Sequence, residues 1–195
     1  DFIINTVLND KFEICRVVAG HYIEAHREGV RLAQQLLGYR VTEKVDIVVA
    51  SSHPADQDFW QSPKAMYAAE PALKGTSGGT IILVSPNYEG VGPHAEYLNA
   101  MGRDDGDNLV RACIQGEEGL GDPLAIAVGN SMSKMRRRRK LVVVSDGVTR
   151  DEMALCGCVH YKTEQLQQAI DDALAEYSGG RLAAITNGAD TFLYE

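Results

Sequence analysis

The sequence has no apolar run near the roughly 20 residues that cross a bilayer. Leu141-Val142-Val143-Val144, for one, has only the length of a buried strand. The G-x-G-x-x-G fingerprint of dinucleotide binding is missing: Gly90-Val91-Gly92 lacks the third glycine, and Gly116 to Gly121 runs the spacing backwards. No G-x-x-x-x-G-K-[ST] phosphate loop occurs either. Cysteine is scarce, with four (Cys15, Cys113, Cys156, Cys158), of which only the last two are close. C-x-C is the spacing of neither zinc knuckles nor thioredoxin-like sites, so the expectation is a reduced thiol set in a cytoplasmic protein. Positive charge is outnumbered, 19 Lys+Arg against 27 Asp+Glu for a net charge of -8. A surface that acidic repels nucleic acid and anionic membrane, and neither is expected as a partner. A secretory leader and an initiator Met are also missing, which reads as a piece of something longer.

What remains is ordinary for a globular domain: 195 residues, 45% hydrophobic and 24% charged. No repeat or low-complexity linker divides it, so residues 1–195 are read as a single domain. Phe2 to Leu8 and Phe12 to Val18, separated by Asn9-Asp10-Lys11, predict an N-terminal hairpin at the sheet edge. Helical spacing from Ile23 to Leu37 ends at Gly38, a left-handed C-cap candidate. Val45 to Ala50, apolar but for Asp46, and Leu141 to Ser145, apolar up to its last residue, read as strands covered on both faces. Between them fall a helix from about Pro63 to Leu73, a Gly78-Gly79 turn, strand Thr80 to Ser85, a glycine-rich loop to Pro93, and two or three helices from Ala95 to Met135. Helix Asp151 to Leu155, strand Cys158 to Tyr161, helix Glu164 to Tyr177 and strand Arg181 to Ile185 complete the alternation, with Asp151 and Thr163 as cap candidates. The fold class is therefore α/β and Rossmann-like: a mainly parallel sheet with helices on both faces.

Ligands of such sheets sit beyond the carboxyl ends of the strands. The richest of those loops runs from Ser51 to Lys64, SSHPADQDFWQSPK, and holds the protein's one Trp. Two helix starts compete in it. Asp58 with Gln61 resembles a capping box, and Ser62-Pro63 resembles an N-cap followed by proline. From either start Trp60, Gln61 and Lys64 gather at a positive helix end, a cradle for carboxylate or phosphate. The bland alternative is a buried Trp, a capping Gln and a solvated Lys. His53 is a further candidate in the same loop, with Ser51 and Ser52 beside it. His21 and His26 stand five apart, not at the i,i+4 spacing of a metal pair. His94 and His160 have no evident companion. Arg136-Arg137-Arg138-Arg139-Lys140 reads as a solvated helix end.

Several segments, taken in order, resemble one family. They are FIINTVLN from Phe2, Ala19-Gly20-His21 with Ala25-His26-Arg27, and Asp46 to Ser51. Trp60-Gln61 with Lys64, GGTIILV from Gly78, Glu89-Gly90-Val91-Gly92 and Gly188-Ala189 follow. Together they resemble the C-terminal domain of the nickel-dependent lactate racemase family. The resemblance implies that Trp60, Gln61 and Lys64 help hold a hydroxy-acid substrate. It implies a nickel-pincer nucleotide that takes hydride from the α-carbon and returns it, held by an N-terminal domain outside this chain. That domain would be this chain's partner and would supply the catalytic residues, none being expected here. No metal or cofactor is expected on this chain, nor turnover by it alone. The family's usual Tyr is Trp60 here, and its Gly-Gly-Tyr-Pro turn is replaced by Ser52-His53-Pro54. An indole donates once and accepts nothing, which points to a 2-hydroxy acid other than lactate. The rival from another class is a non-catalytic ligand-binding or regulatory domain.

Overall fold

The computed structural model describes residues 1–9, 11–94 and 96–194. Asp10 of the hairpin turn and Ala95 at the start of the helical stretch lie outside the described residues. The chain opens with β1 (Phe2–Leu8) and β2 (Ile14–His21), paired antiparallel, then helix α1 (Tyr22–Leu37). The hairpin is not at the edge of the main sheet. It is a two-stranded sheet of its own, and its Val18 stands against α1 at Gly29. Gly38 ends α1 as expected, but in extended rather than left-handed backbone. It is glycine for lack of space: a Cβ there would meet the Gln34 carbonyl oxygen at 2.4 Å.

The main sheet is parallel, with strand order β7-β6-β5-β4-β8. Its members are β4 (Ile47–Ser51), β5 (Thr80–Val84), β6 (Lys140–Val144), β7 (Val159–Tyr161) and β8 (Leu182–Ile185). The two predicted central strands, β4 and β6, both lie inside the sheet, as doubly covered strands must. Register puts Val48, Ile81 and Leu141 in one row and Val49, Ile82 and Val142 in the next. Rows therefore alternate between faces. Val48, Ala50, Ile81, Leu83, Leu141 and Val143 join the larger core with Phe59, Met66, Tyr97, Met101 and Met132. Those come from the β4–β5 connection with its helix α2 (Lys64–Ala69), from α3 (Glu96–Gly102) and from α5 (Pro123–Arg136). Ile47, Ile82, Val142 and Val144 join Ala169 and Ala173 of α7 (Leu166–Ala175) on the opposite face.

Helices α4 (Gly106–Ile114) and α6 (Arg150–Leu155) complete the helical set. Thr149, not Asp151, caps α6, in a reciprocal capping box with Glu152. Thr163 caps nothing. It opens a short 3₁₀ turn before α7, and the Gln165 side chain accepts the Lys162 amide instead. Two short strands escape the sequence reading, β3 (Gly38–Arg40) and β9 (Phe192–Tyr194), which pair parallel as a third small sheet. Chain order runs outward from β4 through β5 and β6 to β7, then crosses to β8 on the other side of β4. Strand order thus reverses at β4, and the loop leaving its carboxyl end is where an open α/β sheet presents ligand-binding groups.

Candidate functional site

Each of the three inner strands delivers a serine or the residue beside it to a buried polar chain. Ser52 Oγ donates to Ser85 Oγ (2.7 Å), and Ser85 Oγ donates to Asn87 Oδ1 (2.8 Å). Asn87 Nδ2 then donates to Ser145 Oγ (3.2 Å). All four residues are buried, so these bonds replace water that the groups cannot reach. The network fixes the carboxyl ends of β4, β5 and β6 relative to one another. Sequence reading took Ser52 as a ligand candidate, but its hydroxyl is spent here. The overlooked signal is a polar residue placed directly after each apolar run.

The glycine-rich loop after β5 grips the loop after β4. Asn87, Glu89 and Phe59 amides donate to the carbonyls of Asp56, Gln57 and Gly90, at 3.1, 2.9 and 2.9 Å. Gly92, at φ +91, passes so close that a Cβ would lie 2.9 Å from the Asp58 carboxyl carbon and 3.1 Å from Trp60 Cβ. Left-handed backbone and contact together require glycine there. The loop's glycines therefore serve packing.

Helix α2 begins at neither anticipated residue. Residues 58–63 form turns closed by Asp58, whose Oδ1 accepts the Gln61 amide (2.8 Å), and the helix starts at Lys64 with Pro63 as its N-cap. Ser62 Oγ is buried without a partner among the described residues and caps nothing. The six-residue helix is too short for its dipole to carry the site. The side chains nonetheless converge. Lys64 Nζ donates to Gln61 Oε1 (2.5 Å), and Trp60, Gln61 and Lys64 line one cavity of about 510 Å³ with Pro63, Tyr67 and Tyr97. Gln61 being an acceptor toward Lys64 leaves its NH₂ group as the free donor. An ammonium and an amide N–H side by side suit a carboxylate.

His53 does not join them. It lines a second cavity of about 550 Å³, with Leu8, Phe12 and Pro54 among others, and faces Asp56 at 3.6 Å. The Ser51 carbonyl accepts the Gly188 amide, and its hydroxyl accepts the His53 amide at 3.4 Å. His94, by contrast, has companions that the sequence did not reveal. Its ring lies 4.3 Å from the Trp60 ring, and its Nδ1 hydrogen-bonds the Asp122 carboxylate. Asp122 also caps α5 through the Leu124 amide. The bond from His94, reinforced by that amide, holds the Asp122 carboxyl below the ordinary aspartate range. Tyr97 meets Trp60 edge-on at 5.3 Å, and burial pushes its phenol well up, so it stays neutral. His160 likewise has a partner, the Ser145 carbonyl at 2.9 Å.

The basic block is not a solvated helix end. Arg138 grips Glu70 through two bonds of 2.6 Å, and Arg139, buried, reaches Glu70 and the carbonyls of Lys74, Gly75 and Gly78. Burial raises the Glu70 pKa, but the two arginines outweigh it and leave the carboxyl below its usual range. Arg136, Arg137 and Lys140 are engaged with Asp104, its carbonyl and Glu176. Cys156 and Cys158 are buried thiols; the hydrogen bond between them, with burial, pushes Cys158 up. Among the described residues no group of three or more His, Cys, Asp or Glu could hold a metal. An ammonium, an amide and an indole offer nickel none of the thiolates or free imidazoles it favours, so the site does not fit a nickel group. No described helix is long and apolar enough to cross a membrane.

Residues 41–191 match the family model of the lactate racemase C-terminal domain. The lactate racemase of Thermoanaerobacterium thermosaccharolyticum is 34% identical over 98 residues, 49% of this chain and 22% of that protein. The lactate racemase of Lactiplantibacillus plantarum is 35% identical over 106 residues, 53% of this chain and 24% of that protein. The apoprotein structure of the former enzyme superposes with a TM-score of 0.74 at 23% identity, covering 100% of this chain and 46% of that one. A structural-genomics protein from Thermotoga maritima gives 0.60 at 12% identity, covering 99% and 48%. The chain thus spans under half the length of these structures, and the two superpositions speak to fold alone.

Proposed function

The chain belongs to the lactate racemase C-terminal domain family, and from that premise we propose that it holds the carboxylate of a 2-hydroxy acid for a racemase or epimerase. The observation that carries this reading is the convergence of Lys64, Gln61 and Trp60 on one cavity beyond the strand where sheet order reverses. Lys64 keeps two N–H donors after bonding Gln61, and the Gln61 amide presents another. The ammonium pairs with one carboxylate oxygen and the amide with its neighbour, while Trp60 walls the site, steadied by His94 and Tyr97. Fixing the carboxylate leaves both faces of the α-carbon open, which inversion through a planar 2-keto acid requires. The groups that remove and return hydride and move the hydroxyl proton belong, in this proposal, to the remainder of a longer protein. The nickel-pincer nucleotide implied by the family is placed there too. This chain alone then binds the acid and does not turn it over.

Lys64→Ala tests the proposal. A charge-assisted hydrogen bond contributes about 1.5–3 kcal/mol, so binding of the acid weakens roughly 10- to 150-fold. In a racemising full-length protein the loss falls on KM if the contact is constant through the reaction, and also on kcat if it tightens toward the keto acid. The melting temperature stays unchanged, since among the described residues the ammonium bonds Gln61 alone. Unchanged binding returns Lys64 to the role of a solvated surface residue. A large drop in melting temperature makes it a structural one.

A further inference from the structure

We infer that the acid held at this site carries a bulky apolar side chain, aromatic or branched, in place of lactate's methyl group. The inference rests on the carboxylate-holding role of Lys64 and Gln61 and adds what the rest of their cavity selects. Two helical faces form it. Trp60, Pro63, Lys64 and Tyr67 come from the α2 side, and Ala127, Val128, Ser131 and Met132 recur at helical spacing along α5. Tyr97 completes the lining. Of these residues only Lys64 is charged. The two hydroxyls that face each other from opposite helices pair, Tyr67 donating to Ser131 Oγ at 2.9 Å, which leaves the Ser131 O–H as one neutral donor. Arg138, whose charge reaches Tyr67, is committed to Glu70. The cavity therefore offers one anion-binding corner and the Ser131 hydroxyl, and otherwise mainly indole, the Tyr67 ring, alanine, valine and proline.

The space, about 510 Å³ and open to solvent on one side, is larger than a three-carbon acid needs. A methyl group leaves most of it to water against apolar walls. A second carboxylate finds no second cation, and a row of sugar hydroxyls outnumbers the few polar groups left to replace its hydration. A benzyl or isobutyl group instead displaces that water and meets the partly exposed Trp60, the Tyr67 ring and Val128.

The experiment uses this chain and its one Trp. Binding of 3-phenyllactate, lactate, malate and 3-phenyl-1,2-propanediol is followed by Trp60 fluorescence and calorimetry, for the parent and for Lys64→Ala, Ala127→Leu and Ala127→Trp. The result expected is 3-phenyllactate binding about 10- to 100-fold more tightly than lactate or malate. Ala127→Trp, which fills the cavity, removes that preference, and Ala127→Leu reduces it. Lys64→Ala weakens both monocarboxylates, and the diol binds far more weakly than 3-phenyllactate. Equal affinity for lactate and 3-phenyllactate, both dependent on Lys64, overturns this inference and leaves the carboxylate role standing. Equal affinity for 3-phenyllactate and the diol, indifferent to Lys64→Ala, overturns the carboxylate role instead. No binding by any acid overturns both.

Discussion

The parallel sheet and the N-terminal hairpin are both built from largely apolar strands, yet they treat those strands in opposite ways. In β4 and β5, Ile47, Val48, Ile81, Ile82 and Leu83 are wholly buried, because helices cover both faces. In the hairpin, Phe2 is 69% exposed, Ile4 73%, Ile14 64% and Val17 60%. Its register explains this. The Phe2–His21, Ile4–Ala19 and Thr6–Val17 pairs share one face, and Val7 and Val18 belong to the other, the side on which Val18 meets α1. Apolar side chains thus make a core in one region and a bare apolar face in the other. The site residues stand wholly on the covered region, where the Ser52–Ser85–Asn87–Ser145 chain and the Gly92 contact hold their loops.

The largest effect expected from breaking that contrast lies in the sheet. Leu83→Ala removes a fully buried side chain from between two helical neighbours and leaves a cavity, costing about 3 kcal/mol. For a chain this long that is roughly 6–12 °C in Tm. Thermal melts of the variant read it directly. A shift below about 2 °C makes the sheet no better packed than the hairpin.

Next comes Glu70, which joins the 3₁₀ turn after α2 to the start of β6 through Arg138 and Arg139. Glu70→Gln keeps the shape and removes the charge, leaving the buried Arg139 guanidinium without its anion. Arg138 is partly solvated, so the loss is set at about 2 kcal/mol, below that of a fully buried pair. The pH dependence has a definite sign. The folded pKa lies below the unfolded one, so this stabilisation is complete above the ordinary glutamate range. It is lost as pH falls through the folded value. Denaturant titrations across the acid limb show a shallower decline for Glu70→Gln than for the parent. Parallel acid limbs refute the assignment.

These two residues also mark where sequence reading stops. Leu83 was legible as part of a strand because the unbroken run Ile81-Ile82-Leu83-Val84 after the Gly78-Gly79 turn is a local signature that needs no partner to be recognised. Lys64, Gln61 and Trp60 were legible for a similar reason: four residues of chain cannot spread far, whichever start the helix takes. Glu70 with Arg138, and His94 with Asp122, are local in space but distant in sequence, at separations of 68 and 28. No spacing rule joins them. The basic run looked like a solvated helix end because its acceptors, backbone carbonyls at Lys74, Gly75 and Gly78, leave no trace in side-chain chemistry. Strands β3 and β9 were missed because three-residue strands carry no periodicity, and their pairing joins residue 38 to residue 192. His53 was grouped with Trp60 by proximity in the chain, but the turn at residues 53–55 sends it to another cavity.

The smallest effect belongs to the hairpin's bare face. Ile4→Thr and Val17→Thr exchange apolar for polar surface while keeping β-branched side chains suited to a strand. The outward face makes no core contact in this chain, so each change alters stability by less than about 0.5 kcal/mol. The double variant should melt within about 2 °C of the parent and bind 3-phenyllactate with the same affinity, since neither residue lines the Lys64 cavity. It should also elute from a hydrophobic-interaction column earlier, because the removed patch is one that solvent sees. A fall in Tm comparable to that of Leu83→Ala reverses the comparison, placing Ile4 and Val17 in a packed interior. A fall in ligand affinity without a fall in Tm couples the hairpin to the site through α1 and the second cavity, where Leu8, Phe12 and His53 meet. Unchanged values for both confine the hairpin's apolar face to a role that neither the fold nor the binding site of this chain requires.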